Sequence, residues 1–258
     1  MPPPAVPPPE PRRASWADGD GERPVLVWCA DRPLRCASSG PLGGGVGERR
    51  WVINAEVALD YGRLDPEVHL AEIAGALGLP AGAGTGLLTA ARVLDLSTGE
   101  DGGAWCAATV GLTHPTWAAA PDGTWTRWRP GTVNLVCAVP APLTDAALVN
   151  AVATATEAKV QALLEAGVPG TGTASDAIVV CCPPGGTEPF GGPRSPWGAR
   201  LARAVHAAVA EGTARFLARS AGRSGGDAYS SSSTSAAPVR GSEDTATQAA
   251  RAPRRRSS

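Results

Sequence analysis

The sequence predicts an α+β fold, a single domain with a mixed, largely antiparallel sheet flanked by three main helices. Short apolar runs rich in Val, Ile, Leu, Trp and Cys, bounded by Gly or Pro, follow one another in the first half of the chain with one helix among them. The other two helices come late. A doubly wound parallel sheet requires strands and helices in strict alternation, so this order favours the α+β class.

Eight of these runs are predicted as strands. They are residues 24–30, 34–38, 50–57, 87–96, 104–112, 124–128, 132–139 and 177–182. Each of the three helices has a start signal. The first follows the Asp-Pro pair at 65–66 and runs to about Leu77. The second lies between Thr144 and Gly167, and the third follows the Ser-Pro pair at 195–196 and runs past Phe216.

The two ends of the chain differ from its middle in composition. Residues 1–22 are rich in proline and almost free of large apolar residues, which predicts a disordered leader without the apolar core of a signal peptide. Residues 220–258 are rich in Ser, Gly, Arg and Thr, and predict a disordered tail. Residues 23–219 remain as the predicted domain, which has the usual size of one.

Composition also argues against several classes of partner. The net charge is −1, so no nucleic-acid partner is expected, and no apolar run is long enough to span a bilayer. The six cysteines form no Cys-x-x-Cys pair and the three histidines are far apart, so no metal site is expected. We predict a cytoplasmic protein, and the sequence leaves its oligomeric state open.

Lys159 is the only lysine in a chain that has 22 arginines. A guanidinium keeps its proton whereas a desolvated lysine can lose it, so a lysine retained in this background suggests amine chemistry. On a helical wheel Lys159 falls on the apolar side between Leu148 and Val152, with Thr156 on the same half. A buried ammonium costs several kcal/mol unless it is paired, and Asp176 is a natural counter-ion. The alternative is a lysine whose stem packs in the core while its amine reaches the rim.

Polar residues also collect at the ends of the predicted strands. A carboxamide such as Asn134, inside an apolar strand, costs about 1–3 kcal/mol without partners, so it is either a satisfied core amide or a grip for a substrate amide. The Gly-Thr-Gly-Thr turn at 170–173 can aim backbone N–H groups at an anion, although such turns are common without a ligand. Thr156-x-x-Lys159 repeats the hydroxyl-x-x-lysine spacing of serine acyltransferases, a weak signal when alone. These groups together offer what amide hydrolysis requires.

Four blocks, in this order and spacing, resemble the adenosylcobinamide amidohydrolase (CbiZ) family. They are GTVNLV at 131–136, PLTDAAL at 142–148, TATEAK at 154–159 and GTASDAIVV at 172–180. Segments 51–57, 88–91 and 108–112 fit the same pattern, so the resemblance spans about residues 25–217. The chain departs from the family at His114, at Arg194 and at the start of the 170–173 turn, so His114 and Arg194 inherit no role.

The resemblance implies hydrolysis of the amide that joins the propionyl side chain of the corrin ring to aminopropanol, giving adenosylcobyric acid for cobamide salvage. The corrinoid is then the substrate and carries its own cobalt, and the protein needs no cofactor. The competing interpretations are a corrinoid-binding protein that does not cut its ligand, and a purely structural domain.

We assign roles on this basis as hypotheses. Lys159 acts as base or electrostatic stabiliser, Thr156 or a water attacks, and Glu157 or Asp176 transfers the proton to the leaving amine. Six further residues are expected to bind the substrate: Asn54, Thr89, Thr132, Asn134, Thr171 and Thr173.

Overall fold

The computed structural model describes residues 6, 10–19, 21–124 and 131–223. Strands and helices follow the chain as β1 Arg12–Asp18, β2 Gly21–Ser38, β3 Gly45–Glu56, α1 Pro66–Ala76, β4 Gly84–Thr89, β5 Ser97–Asp101, β6 Ala104–Gly111, β7 Thr132–Ala138, α2 Asp145–Glu165, β8 Ala177–Cys182 and α3 Pro196–Arg223. The predicted α+β class and its three helices are confirmed. No helix in the described part of the chain combines the length and apolar character needed to cross a bilayer.

The strands form one eight-stranded sheet in the order β4-β3-β2-β8-β7-β6-β5, with β1 beside β2. The β3–β4 and β7–β8 pairs are parallel and the other pairs are antiparallel, which confirms a mixed, largely antiparallel sheet. Strand β2 joins the two parts of this sheet. Its first half pairs with β1 and its last four residues pair with β8, while β3 pairs along its other edge.

The sheet folds over so that its two halves face each other. One buried cluster combines side chains of β2 and β3, such as Trp28 and Val52, with Trp105 of β6 and Val136 of β7. Helix α1 packs on the outer face of the β2–β4 half, and α2 and α3 pack on the outer face of the β6–β8 half. The domain therefore has four layers: α1, the two halves of the sheet, and the pair of helices α2 and α3. We call the space between the two halves of the sheet the interlayer, and the outer side of β6–β8 the helix side.

The predicted disordered leader is wrong for residues 12–18, which form β1. Only Ala14 and Trp16 of this strand pack against the core, so the segment lacks the apolar pattern that would predict a strand. Pairing with the free edge of β2 supplies the stabilisation instead. At the other end, α3 continues through residues 220–223, which were predicted as tail, and the remaining tail residues 224–258 lie outside the described part.

Three predicted strands also need correction. Segments 24–30 and 34–38 are one strand, β2, with an irregularity between Cys29 and Leu34. The predicted strand 87–96 ends at Thr89, and a 3-10 turn follows at Val93–Asp95. The polar strand β5 was not predicted, and the predicted strand 124–128 falls mainly on residues outside the described ranges.

Candidate active site

Helix α2 places Lys159 in the protein interior, where it pairs with Asp176. The Lys159 side chain is 6% exposed and the Asp176 side chain 11%, and Nζ forms an ion pair with Oδ2. The expected counter-ion is therefore confirmed, and the amine does not reach the rim. The buried face of α2 is mostly alanine. Besides Lys159, its buried residues are Ala147, Leu148, Ala151, Thr154, Ala155, Ala158, Ala162 and Leu163. These short side chains let the helix approach the sheet closely enough to bury the lysine.

Asp176 also holds the backbone around it. Its Oδ1 accepts hydrogen bonds from the N–H of Val133 at 2.9 Å and from the N–H of Thr173 at 3.2 Å. Gly172 leaves no room beside the pair, since an added Cβ would lie 2.2 Å from Asp176 Oδ2 and 2.6 Å from Lys159 Nζ. The ion pair therefore fixes the 170–176 turn against the start of β7.

A chain of hydroxyl groups continues from this turn. Thr173 Oγ1 lies 2.5 Å from both Asp176 Oδ1 and the carbonyl oxygen of Gly131. Ser175 Oγ donates to the same carbonyl at 3.0 Å and lies 3.1 Å from Thr132 Oγ1. Because the single proton of Ser175 goes to Gly131, Thr132 donates to Ser175.

Asn54 and Asn134 form a clamp across the interlayer. Asn134 Nδ2 donates to Asn54 Oδ1 at 2.9 Å and to the carbonyl of Leu88 at 2.8 Å, while its Oδ1 accepts from the N–H of Ala177. Asn54 Nδ2 donates to Thr109 Oγ1 at 3.0 Å. Each asparagine is only 1% exposed. The structure therefore argues against a substrate contact by either amide, because both bond to other groups of the protein and neither lines the clefts at the mouth of the interlayer.

A cleft of about 440 Å³ opens at the mouth of the interlayer, above this clamp. Thr89, Thr132 and Ser175 contribute aliphatic hydroxyl groups, and apart from Tyr61 and Arg63 the other lining residues are apolar or glycine. Leu64, on the rim, is 99% exposed. The predicted substrate residues Thr89 and Thr132 thus lie at a site large enough for a ligand.

A second cleft of about 500 Å³ adjoins the first and shares Val57 and Ala90 with it. This second cleft is charged, and its ionisable lining residues are Arg23, Glu56, Arg92 and Arg219. The first cleft is therefore mostly apolar and the second is more polar, and Val57 and Ala90 lie at the boundary between them.

The residues expected to act together are divided between two faces of the sheet. Ala177 and Val179 of β8 point into the interlayer, and Ile178 points to the helix side. Because side chains alternate along a strand, Asp176 belongs to the helix side, as its pairing with Lys159 shows. The ion pair therefore lies on the helix side of the sheet, while Thr89 and Thr132 face the open end of the interlayer.

Three further predicted residues lie away from the clefts. Thr156 Oγ1 donates to the carbonyl of Val152 in its own helix at 2.9 Å. Glu157 is exposed, because two residues of helix place it about 200° around the axis from Lys159. Thr171 Oγ1 accepts from the N–H of Ala118 at 3.0 Å and so secures a neighbouring loop. These positions argue against catalysis by Thr156 or Glu157 and against substrate binding by Thr171.

The cleft wall at Tyr61 is anchored to α1. Tyr61 Oη lies 3.0 Å from Nδ1 of His69, and the two rings stack. Burial lowers the pKa of His69 and raises the pKa of Tyr61. Next to Tyr61, Arg63 bonds to Asp65 and Glu72, and these hydrogen bonds lower the pKa of both carboxyl groups.

Glu56, Tyr61 and Ser175 were not among the predicted site residues. Val52, Asn54 and Glu56 alternate along β3, so the period of the strand could have placed Glu56 on the same face as Asn54. Within the described residues no three His, Cys, Asp or Glu side chains come together as a metal site would require.

Comparisons with known proteins point to one family. The family model described as adenosylcobinamide amidohydrolase (CbiZ) matches residues 10–221. A relative of that name from Halobacterium salinarum is 51% identical over 112 residues, which are 40% of this chain and 47% of the relative. Another, from Methanosarcina mazei, is 31% identical over 179 residues, 66% of this chain and 85% of the relative. This chain thus spans about half the length of the first relative.

Among solved structures, the PH0078 protein from Pyrococcus horikoshii OT3 aligns with a TM-score of 0.45 at 14% identity. The alignment covers 79% of this chain and 81% of that protein.

Proposed function

We propose, since the chain belongs to the adenosylcobinamide amidohydrolase family, that it hydrolyses the amide between the corrin propionyl side chain and aminopropanol in adenosylcobinamide. The products are adenosylcobyric acid and aminopropanol. The observation that carries this proposal is the family match, which covers residues 10–221 and so includes both half-sheets.

The shape and polarity of the two clefts support the same ligand. A corrin ring is a large, mostly apolar plate with amide side chains on its edge. The apolar walls of the first cleft suit the plate, and the polar groups of both clefts suit the edge. The cobalt arrives with the substrate, and we propose that the protein uses no cofactor of its own. A cytoplasmic location stays a prediction from the sequence.

The hydroxyl groups of the first cleft are suited to hold the scissile amide. Thr89 Oγ1 accepts a hydrogen bond from the N–H of Ala91 at 3.0 Å, so its own proton can be donated to a carbonyl oxygen. Such a donor stabilises the oxyanion that forms when the carbonyl is attacked. Ser175 Oγ, which accepts from Thr132, keeps a second lone pair that can accept the N–H of a secondary amide.

Lys159 and Asp176 then act by positioning these hydroxyl groups. The carbonyl of Gly131 lies between Thr173 and Ser175, and a carbonyl oxygen only accepts hydrogen bonds. This network therefore passes no proton from Lys159 to the cleft. We propose that the pair, with Thr173, instead fixes the turn that carries Ser175 and the start of β7 that carries Thr132.

The test is release of aminopropanol from adenosylcobinamide and from non-adenosylated cobinamide, assayed side by side with purified protein. In water labelled with heavy oxygen, hydrolysis places one labelled atom in the new carboxyl group of the corrinoid, which mass spectrometry detects. A change in the corrinoid absorbance without release of aminopropanol would instead show a protein that binds its ligand and does not cut it.

A further inference from the structure

We propose that Glu56 is the catalytic carboxylate of this site, an assignment that rests on the proposed amide hydrolysis. Among the described residues that line the two clefts, Glu56 is the one carboxylate. It is the last residue of β3 and lies next to Val57, which both clefts share. Amide hydrolysis requires a group that takes a proton from water and returns it to the leaving amine.

The strand geometry directs Glu56 toward the substrate hydroxyls. Val52 and Asn54 point into the interlayer, so the alternation of β3 sends Glu56 to the same side, one step nearer the mouth. Glu56 and Thr89 are register partners in the parallel β3–β4 pair, so their side chains leave the same face. Opposite them, an added Cβ at Gly111 would lie 2.9 Å from Ala91 Cβ, so the two halves of the sheet approach closely here.

The carboxylate is held in place by the backbone. Glu56 Oε2 accepts a hydrogen bond from the N–H of Val93 at 2.9 Å, which leaves Oε1 as the oxygen suited to bind a water molecule. The other two carboxylates considered from the sequence are unsuited to this task. Asp176 lies on the helix side with Lys159, and Glu157 is exposed on the far side of α2.

The reaction then proceeds in two proton transfers. Glu56 takes a proton from water as the water oxygen bonds to the amide carbon, and the carbonyl electrons move to the oxygen, which accepts a hydrogen bond from Thr89. The protonated Glu56 next gives this proton to the amide nitrogen as the C–N bond breaks. The corrinoid leaves as a carboxylic acid, which ionises and protonates the released amine, and Glu56 returns to its starting state.

The variant Glu56→Gln tests this role, because a glutamine side-chain oxygen can still accept the Val93 N–H. We expect kcat to fall by about 100-fold or more, the range for loss of a general acid–base group, while corrinoid affinity by absorbance titration stays within about 3-fold. Glu48→Gln is the matched control, since Glu48 is an exposed carboxylate near the other end of β3.

The outcomes separate the two proposals. Wild-type protein that releases no aminopropanol overturns the proposed hydrolysis and the Glu56 assignment together. Active wild-type protein with a Glu56→Gln variant within about 3-fold of it overturns the Glu56 assignment alone. So does a variant that loses affinity but keeps its single-turnover rate at saturating corrinoid. Should the glutamine variant fail to fold, Glu56→Asp is expected to be slower than wild type, and an unchanged rate would overturn the assignment.

Discussion

Substitution of Gly172 by alanine tests how closely the buried ion pair is packed. The added methyl group would lie 2.2 Å from Asp176 Oδ2 and 2.6 Å from Lys159 Nζ, well inside contact distance. Gly172 does not have a positive φ, so the substitution adds bulk without backbone strain. Asp176 or Lys159 must therefore move, and movement of Asp176 weakens its hydrogen bonds to the N–H groups of Val133 and Thr173.

The expected loss of stability is large for a single methyl group. Overpacking costs about 1–3 kcal/mol, and a hydrogen bond to a charged group contributes about 1.5–3 kcal/mol. We therefore expect Gly172→Ala to lower the free energy of unfolding by about 3 kcal/mol. For a domain of this size this corresponds to a fall in Tm of about 6–12 °C.

Gly75→Ala is the matched control for this measurement. Gly75 lies inside α1 and nothing lies within 4 Å of an added Cβ. Alanine is the better helix former by about 1 kcal/mol, so this variant should be slightly more stable than wild type. Thermal unfolding of both variants by circular dichroism provides the comparison. A Gly172→Ala protein whose Tm matches that of wild type would refute the packing described around Lys159.

Asn134, His69 and Leu64 each allow a further test. Asn134→Ala leaves the N–H of Ala177 and the Leu88 carbonyl without their partner, so urea unfolding should show a loss of about 3 kcal/mol. An unchanged stability would argue against the clamp. Burial lowers the pKa of His69, so the stability that the neutral side chain contributes should be fully present above about pH 6.5 and be lost as acid protonates it. The fall in Tm between about pH 7.5 and 5 should therefore be smaller in His69→Phe than in wild type. Equal slopes would contradict this. Leu64→Asp should weaken corrinoid affinity about 10-fold with no change in Tm. The control Val149→Asp, at an exposed site outside the clefts, should leave affinity unchanged. Equal affinities of the Leu64→Asp variant and wild type would exclude Leu64 from binding.

Much of the site around Lys159 could be predicted from the sequence because it depends on local pattern. The helix period put Lys159 on the buried side, and a buried ammonium needs a carboxylate, which Asp176 provides. The helix period alone does not give the rest of the buried face of α2. Val149 and Leu164 are apolar but exposed, and alanines form most of the buried face.

The rest of the site depends on which faces of the sheet meet. Asn54 lies on β3 and Asn134 on β7, strands that are not neighbours in the sheet, and they touch only because the sheet folds over. No local sequence pattern shows that the sheet folds over in this way. For the same reason the sequence analysis placed Asn134 and Lys159 in one site, although the β-sheet separates them. Glu56 could not be recognised as a site residue because the residues around it come from distant segments of the chain.

The most direct test of this account is the crystal structure of the Glu56→Gln variant with adenosylcobinamide bound. We predict that the amide joining the ring to aminopropanol lies at the interlayer mouth, with its carbonyl oxygen on Thr89 Oγ1 and the side chain of residue 56 within reach of the scissile carbon. An amide bound on the helix side, in contact with Lys159 and remote from Thr89, would contradict it.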